Sequence, residues 1–127
     1  MVSYSMKDPI TFEYFSKLDI RIGTILSAEL VPDTDKLIKC TIDFGPKDSA
    51  LHADGLGERD VRTIVSGIAQ WKTPENLIGK QCPYIINLAP RMLRGIESAG
   101  MLLAVSTEDG IALLHPDKAV VPGSFIR

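Results

Sequence analysis

The stretch LIKCTIDFG (37–45) most constrains what this chain can fold into. Ile38, Cys40, Ile42 and Phe44 fall on one side of a two-residue repeat, and Lys39, Thr41 and Asp43 on the other. Only a strand sends alternate residues to opposite faces, so the segment reads as a strand with one face in a core. Upstream, LDIRIGTILSAEL (18–30) repeats the pattern, with Leu18, Ile20 and Ile22 on one face and Asp19 and Arg21 on the other. Gly23 inside that run predicts a bulge or a sharp bend. A strand that long and that bent suits a small barrel. Between the two, VPDTDKL (31–37) is turn chemistry, with Pro32, Asp33 and Asp35.

Further strands follow at VRTIVSGIA (61–69), KQCPYIINL (80–88) and MLLAVS (101–106). Pro83 belongs near the start of its strand or at a bulge. TPENLIG (73–79) reads as a short helix with Thr73 as N-cap, Pro74 first inside and Gly79 closing it. EDG (108–110) is a tight turn from which IALLHP (111–116) pairs back, and KAVVPGSFIR (118–127) closes the chain. A second short helix is expected near Pro9, within DPITFEYFSKLD (8–19). Residues 45–60 form a long unpatterned loop, read as mobile, and residues 89–100 a second loop. The chain is therefore all-β: five core strands, a short helix between the third and fourth, and terminal extensions. That is the order of the OB-fold, a five-stranded barrel that binds ligands on strands 2 and 3 and through the loops joining strands 1–2 and 4–5.

At 127 residues the chain makes a single domain, 1–127, large enough to bury a core without staples. Its net charge of −2 argues against non-specific binding to nucleic acid but leaves room for a local basic patch. No run of residues is long and apolar enough for a membrane helix, and MVSYSMKDPI has no signal-peptide core. Cys40 and Cys82 lack metal-ligand spacing and read as buried, reduced thiols of a cytoplasmic protein. Asp33 and Asp35 have no third ligand nearby and read as a turn capping its own backbone. His52 and His115 have no triad partners, and no phosphate loop is present, so neither an enzyme nor a cofactor is expected.

One feature of the second loop stands out against the acidic balance. NLAPRMLRGIESAGMLLA (87–104) carries Arg91 and Arg94 between Pro90 and Gly95, and residues 78–96 hold Lys80, Arg91 and Arg94 with no acid. This stretch, together with FSKLDIRIGTILSAE (15–29), PDTDKL (32–37), RTIVSGIA (62–69) and TPENLIGK (73–80), resembles the tRNA-binding domain family. That family includes free-standing dimeric tRNA-binding proteins, a C-terminal appendix of methionyl-tRNA synthetases, multisynthetase-complex cofactors and endothelial monocyte-activating polypeptide. The match runs in order from about residue 12 to residue 126, interrupted at 45–60.

The resemblance implies an OB-fold that recognises tRNA by shape and backbone, without catalysis, as a homodimer. It implies dimerisation through the N-terminal segment, 1–14, and the C-terminal extension, 107–127; the apolar ITFEYF and VVPGSFI fit that role, or cover each other within a monomer. Arg91 and Arg94 would then meet phosphates as planar forks of donors. Ser98 matches the family's motif serine and would donate to a phosphate. Asn87 either bonds a base or ribose or holds the loop itself. Lys36 and Lys39 are the candidates on the strand 1–2 side, with Arg21 a further extension. Ser66 either lets a backbone approach or packs in the core. Trp71 reads as a packing residue at a barrel corner in preference to a stacking platform. The family motif has Lys where Met92 stands, so one phosphate contact is missing and the salt dependence should be shallower. The partners implied are tRNA, a second copy and an aminoacyl-tRNA synthetase; the start at Met1 favours a free-standing protein. The alternative is a protein-binding module of the same fold, a chaperone or a multisynthetase scaffold.

Overall fold

The computed structural model describes residues 5–47 and 58–127. Four strands carry the core: β1 (Ile20–Leu30), β2 (Ile38–Pro46), β3 (Arg59–Ser66) and β4 (Gln81–Ile85). With β7 (Met101–Leu102) they form one curled antiparallel sheet in the order β3-β2-β1-β4-β7. As the alternation predicts, Ile38, Cys40, Ile42 and Phe44 of β2 are all buried, packed with Ile25, Ile64 and Tyr84. The sheet curls because β1 changes partner along its length. Ile20–Thr24 pairs with β4 and Thr24–Leu30 with β2, so Thr24 lies opposite both Gln81 and Asp43.

Gly23 sits at this exchange but is not the bulge, which falls between Ile25 and Ser27. Gly23 serves close approach instead: a Cβ there would collide with Ile42 and Phe44. The bulge lets the Ile25 amide donate to the Lys80 carbonyl at 2.9 Å, while the Gly79 amide donates back to the Ile25 carbonyl at 2.8 Å. These bonds seat α2 (Pro74–Leu77), whose Leu77 enters the core. Thr73 occupies the N-cap position, yet its side chain makes no capping bond. Pro83 lies inside β4 opposite Ile22, at a position that requires no donor towards β1. The Ile22 amide donates to the Ser124 carbonyl at 2.9 Å, and the Ile22 carbonyl accepts from the Gly123 amide at 2.7 Å. The C-terminal segment thereby docks along β1. Gly123 (φ +89°) touches the Phe44 carbonyl, where a Cβ would not fit.

Residues 89–100, expected as a loop, contain a hairpin: β5 (Arg91–Leu93) and β6 (Ile96–Ser98) joined by Arg94 and Gly95. Both turn residues have positive φ, +50° and +78°, the signature of a type I′ turn. The expected fifth strand, 101–106, arrives in two pieces, β7 and β8 (Ala104–Thr107), and β6 before it is tied to β3 through Ser98 and Val65. The Ala99 amide donates to the Thr63 carbonyl at 3.0 Å, which helps to close the barrel. β8 pairs with β9 (Gly110–Leu113) around Glu108–Asp109, as the EDG turn predicts. The N-terminal helix α1 (Phe12–Phe15) starts after Pro9, capped by Thr11, whose Oγ1 accepts from the Tyr14 amide at 3.1 Å. The loop expected at 45–60 lies largely outside the described residues, as does His52. No helix among the described residues is long and apolar enough to cross a membrane.

Candidate nucleic-acid interface

At one mouth of the barrel a groove of about 430 Å³ opens between Leu37 after the β1–β2 turn, Ser66 and Gly67 at the end of β3, Leu88 and Ala89 after β4, and the β5–β6 hairpin. Arg91 and Ser98 line it from the hairpin, where they are cross-strand partners. Ser66 lines it from β3, half-buried and opposite Ile38. Arg94 stands exposed at the hairpin tip. Among the described residues neither arginine makes an ion pair, so both forks of donors are free for an anion.

Several other residues picked from the sequence also make contacts within the fold. Ser98 is 4% exposed, and its Oγ accepts from the Val65 amide at 2.9 Å, fastening the hairpin to β3. Asn87 holds the chain: its Oδ1 accepts from the Asp19 amide at 2.8 Å and its Nδ2 donates to the Lys17 carbonyl at 2.7 Å. Lys36 is exposed beside Leu37, while its backbone ties the β1–β2 turn to Ala69 and Thr34. Lys39 does not line the groove; it faces Glu29 across β1, with Nζ 3.5 Å from the carboxylate. Arg21 is held by Asp19 at 2.8 Å and stacks over Phe125 at 4.5 Å. Lys80, grouped with the arginines in the sequence, lines other depressions beside α2.

The supporting residue that the sequence did not reveal is Arg62. Its position opposite Ile42 turns it inward, where Nη1 donates to the Ile86 carbonyl at 2.6 Å and to that of Ala99 at 3.3 Å. It thus joins the end of β4 to the end of β6, with Asp60 balancing its charge at 3.0 Å. Met92 is 66% exposed opposite Glu97. Burial pushes both Cys40 and Cys82 up to about 11, so the thiols stay protonated and unreactive at neutral pH. No cluster of metal ligands occurs among the described residues. The arrangement suits binding: a hairpin with two arginines that make no ion pair among the described residues, beside a groove with a floor of apolar side chains.

Comparison with known proteins agrees with that reading. A family model described as "Putative tRNA binding domain" matches residues 20–125, from β1 through the docked C-terminal segment. The chain is 47% identical over 123 residues to the methionine–tRNA ligase of Parabacteroides distasonis, covering 96% of this chain and 16% of that enzyme. It therefore spans about a sixth of the length of the curated relatives it matches. Among solved structures it is similar to a MetRS-related protein from Pyrococcus horikoshii, with 33% identity, a TM-score of 0.80, and coverage of 95% of this chain and 100% of that one. It is also similar to the chaperone CsaA of Bacillus anthracis, at 29% identity and a TM-score of 0.76, covering 94% and 100%. The matched region is a tRNA-binding module, not a catalytic domain. Curled sheet, α2 plug and arginine hairpin all lie within the matched residues, and the chain belongs to the tRNA-binding domain family.

Proposed function

We propose that this chain binds tRNA at the barrel mouth, with Arg91 and Arg94 on phosphates and Lys36 adding charge from the β1–β2 turn. The observation that carries this is the hairpin: two arginines without acidic partners among the described residues, presented by a turn that fixes their positions. Ser66 gives the strand access to the groove wall, while Ser98, Asn87 and Arg62 hold the hairpin and its approach. The complex acts in the cytoplasm as a homodimer, alongside or attached to an aminoacyl-tRNA synthetase. α1 supports the dimer, since it buries none of its residues and leaves Phe12 80% exposed, with Phe125 also exposed at 68%.

The test is a mobility shift with bulk tRNA at two salt concentrations, comparing wild type with R91A/R94A. Wild type binds with a salt-steep affinity, and the double variant binds weakly with a slope reduced by about 0.9 for each lost contact. Equal binding by the two proteins would move the site away from the hairpin. A second reading is favoured by the apolar floor of the groove, with Leu37, Leu88, Leu93 and Met101, and by the likeness to CsaA. There the mouth would hold an apolar peptide segment, and the protein would slow aggregation of an unfolded client while ignoring tRNA.

A further inference from the structure

The described cations divide into two sets. Those along the sheet are matched by acids: Arg21 by Asp19, Lys39 by Glu29, Lys47 by Glu58, Arg59 by Asp43 and Arg62 by Asp60. Of those without an ion pair among the described residues, Lys7, Lys17 and Arg127 belong to the chain ends, Arg91 lines the mouth, and Lys36 and Arg94 stand exposed next to residues that line it. The remaining three, Lys72, Lys80 and Lys118, gather beside α2 and β9.

Lys72 and Lys80 line a depression of about 430 Å³ with Trp71, Asn76 and His115. Lys80 and His115 also line a second one, of about 390 Å³, that reaches Lys118. Among the described residues no acidic side chain lines either. Trp71 is 46% exposed, and the β8–β9 turn presses on it at Gly110, where a Cβ would collide with the indole. The ring is thus held on one side and open elsewhere. His115 is fixed as well, its Nδ1 donating to the Gln81 carbonyl at 2.8 Å. Ile111 lines both this depression and the mouth, so the two adjoin across β9.

We propose that this lateral groove takes a single-stranded segment of RNA, with a base on Trp71 and phosphates on Lys72, Lys80 and Lys118. The proposal rests on the tRNA-binding reading for its class of ligand and on the groove for its place. A half-exposed indole beside Lys72 and Lys80, with Lys118 in the adjoining depression and no ion pair to any of the three among the described residues, offers what a single strand needs: a platform for a base and charge for the backbone. An acidic peptide would satisfy the lysines but leave the indole unused, which favours RNA.

Trp71 is the only tryptophan, so its fluorescence reports on the groove directly. Wild type, K72Q/K80Q/K118Q and R91Q/R94Q are titrated with an unstructured oligouridylate, with bulk tRNA and with polyglutamate, and thermal melts confirm folding. K118E alone provides a single-site check at an exposed position. The oligouridylate should quench Trp71 in wild type and in R91Q/R94Q, and should fail to do so in the lysine variant. The tRNA salt slope of the lysine variant should fall by about 2, at roughly 0.7 per single-strand contact. An absence of quenching in wild type, equal quenching in the lysine variant, or equal quenching by polyglutamate would each overturn the proposal. Quenching by oligouridylate without any tRNA binding would remove the tRNA reading and leave the groove standing. Hairpin-dependent tRNA binding with a silent Trp71 would do the reverse.

Discussion

Arg94 occupies a position where its side chain type is a poor local choice. The first central residue of a type I′ turn favours Asn or Gly, and an L-residue with a branchless Cβ held at φ +50° costs about 1 kcal/mol. Arg94→Asn should therefore leave the urea midpoint unchanged or raised, while weakening tRNA binding at low salt. A loss of stability would show instead that the guanidinium supports the fold. Ser98 presents the opposite case. Ser98→Ala leaves the buried Val65 amide without its acceptor and should cost about 1–3 kcal/mol in urea unfolding, even though the hairpin arginines remain. The motif points to Ser98 as a phosphate donor, and nothing local shows that its hydroxyl also accepts from an amide 33 residues away. Asn87 carries two readings, and the one that holds the chain has its partners 68 and 70 residues upstream.

β2 was legible because a central strand with one face in the core alternates apolar and polar residues, as Ile38 to Phe44 do, although Asp43 on the other face is buried too, held by Arg59. The hairpin at 91–98 was not, because Arg-Gly lacks the Asn-Gly signal and its strands are only three residues each. Of the two readings of Gly23, the bulge falls two residues further on, while the bend matches the exchange of partners at Thr24; a bulge and a close approach leave the same mark in a sequence. Gly23→Ala should overpack the core against Ile42 and Phe44 and lower stability by about 1–3 kcal/mol, whereas a bulge glycine off the core would lose less. The thiols of β2 and β4 give a pH test of the same core. Their folded pKa, up to about 11, exceeds the value of an exposed thiol, so the unfolded chain loses protons first as pH rises. Stability from this source is complete below pH ~8.5 and declines between there and about 11. Urea midpoints should fall across that window, and a thiol reagent at pH 8 should label Cys40 and Cys82 only after unfolding.

For the whole molecule, the decisive quantity is how unpaired charge and unpaired apolar surface are distributed. A net charge of −2 conceals both the basic mouth and the lateral groove, because the sheet neutralises its own cations pair by pair. Arg21–Asp19 and Arg62–Asp60 are local pairs two residues apart, but Lys39–Glu29 and Arg59–Asp43 join different strands, and the sequence does not show that pairing. The chain ends make the matching argument for apolar surface. The C-terminal segment docks on β1 and stacks Phe125 against Arg21, yet leaves that ring 68% exposed, and α1 leaves Phe12 80% exposed. Since α1 buries none of its residues, Phe12→Glu removes no core contact, and a Glu suits the first turn of a helix. If the proposed dimer forms through these ends, wild type should sediment as a dimer and the variant as a folded monomer. If two mouths engage one tRNA, the monomer must also lose the gain of an intramolecular second contact, at least about 10²-fold in affinity. A monomeric variant that binds tRNA as tightly as wild type would mean that each mouth works alone. In that case the exposed aromatic residues would serve assembly with another protein, not RNA binding.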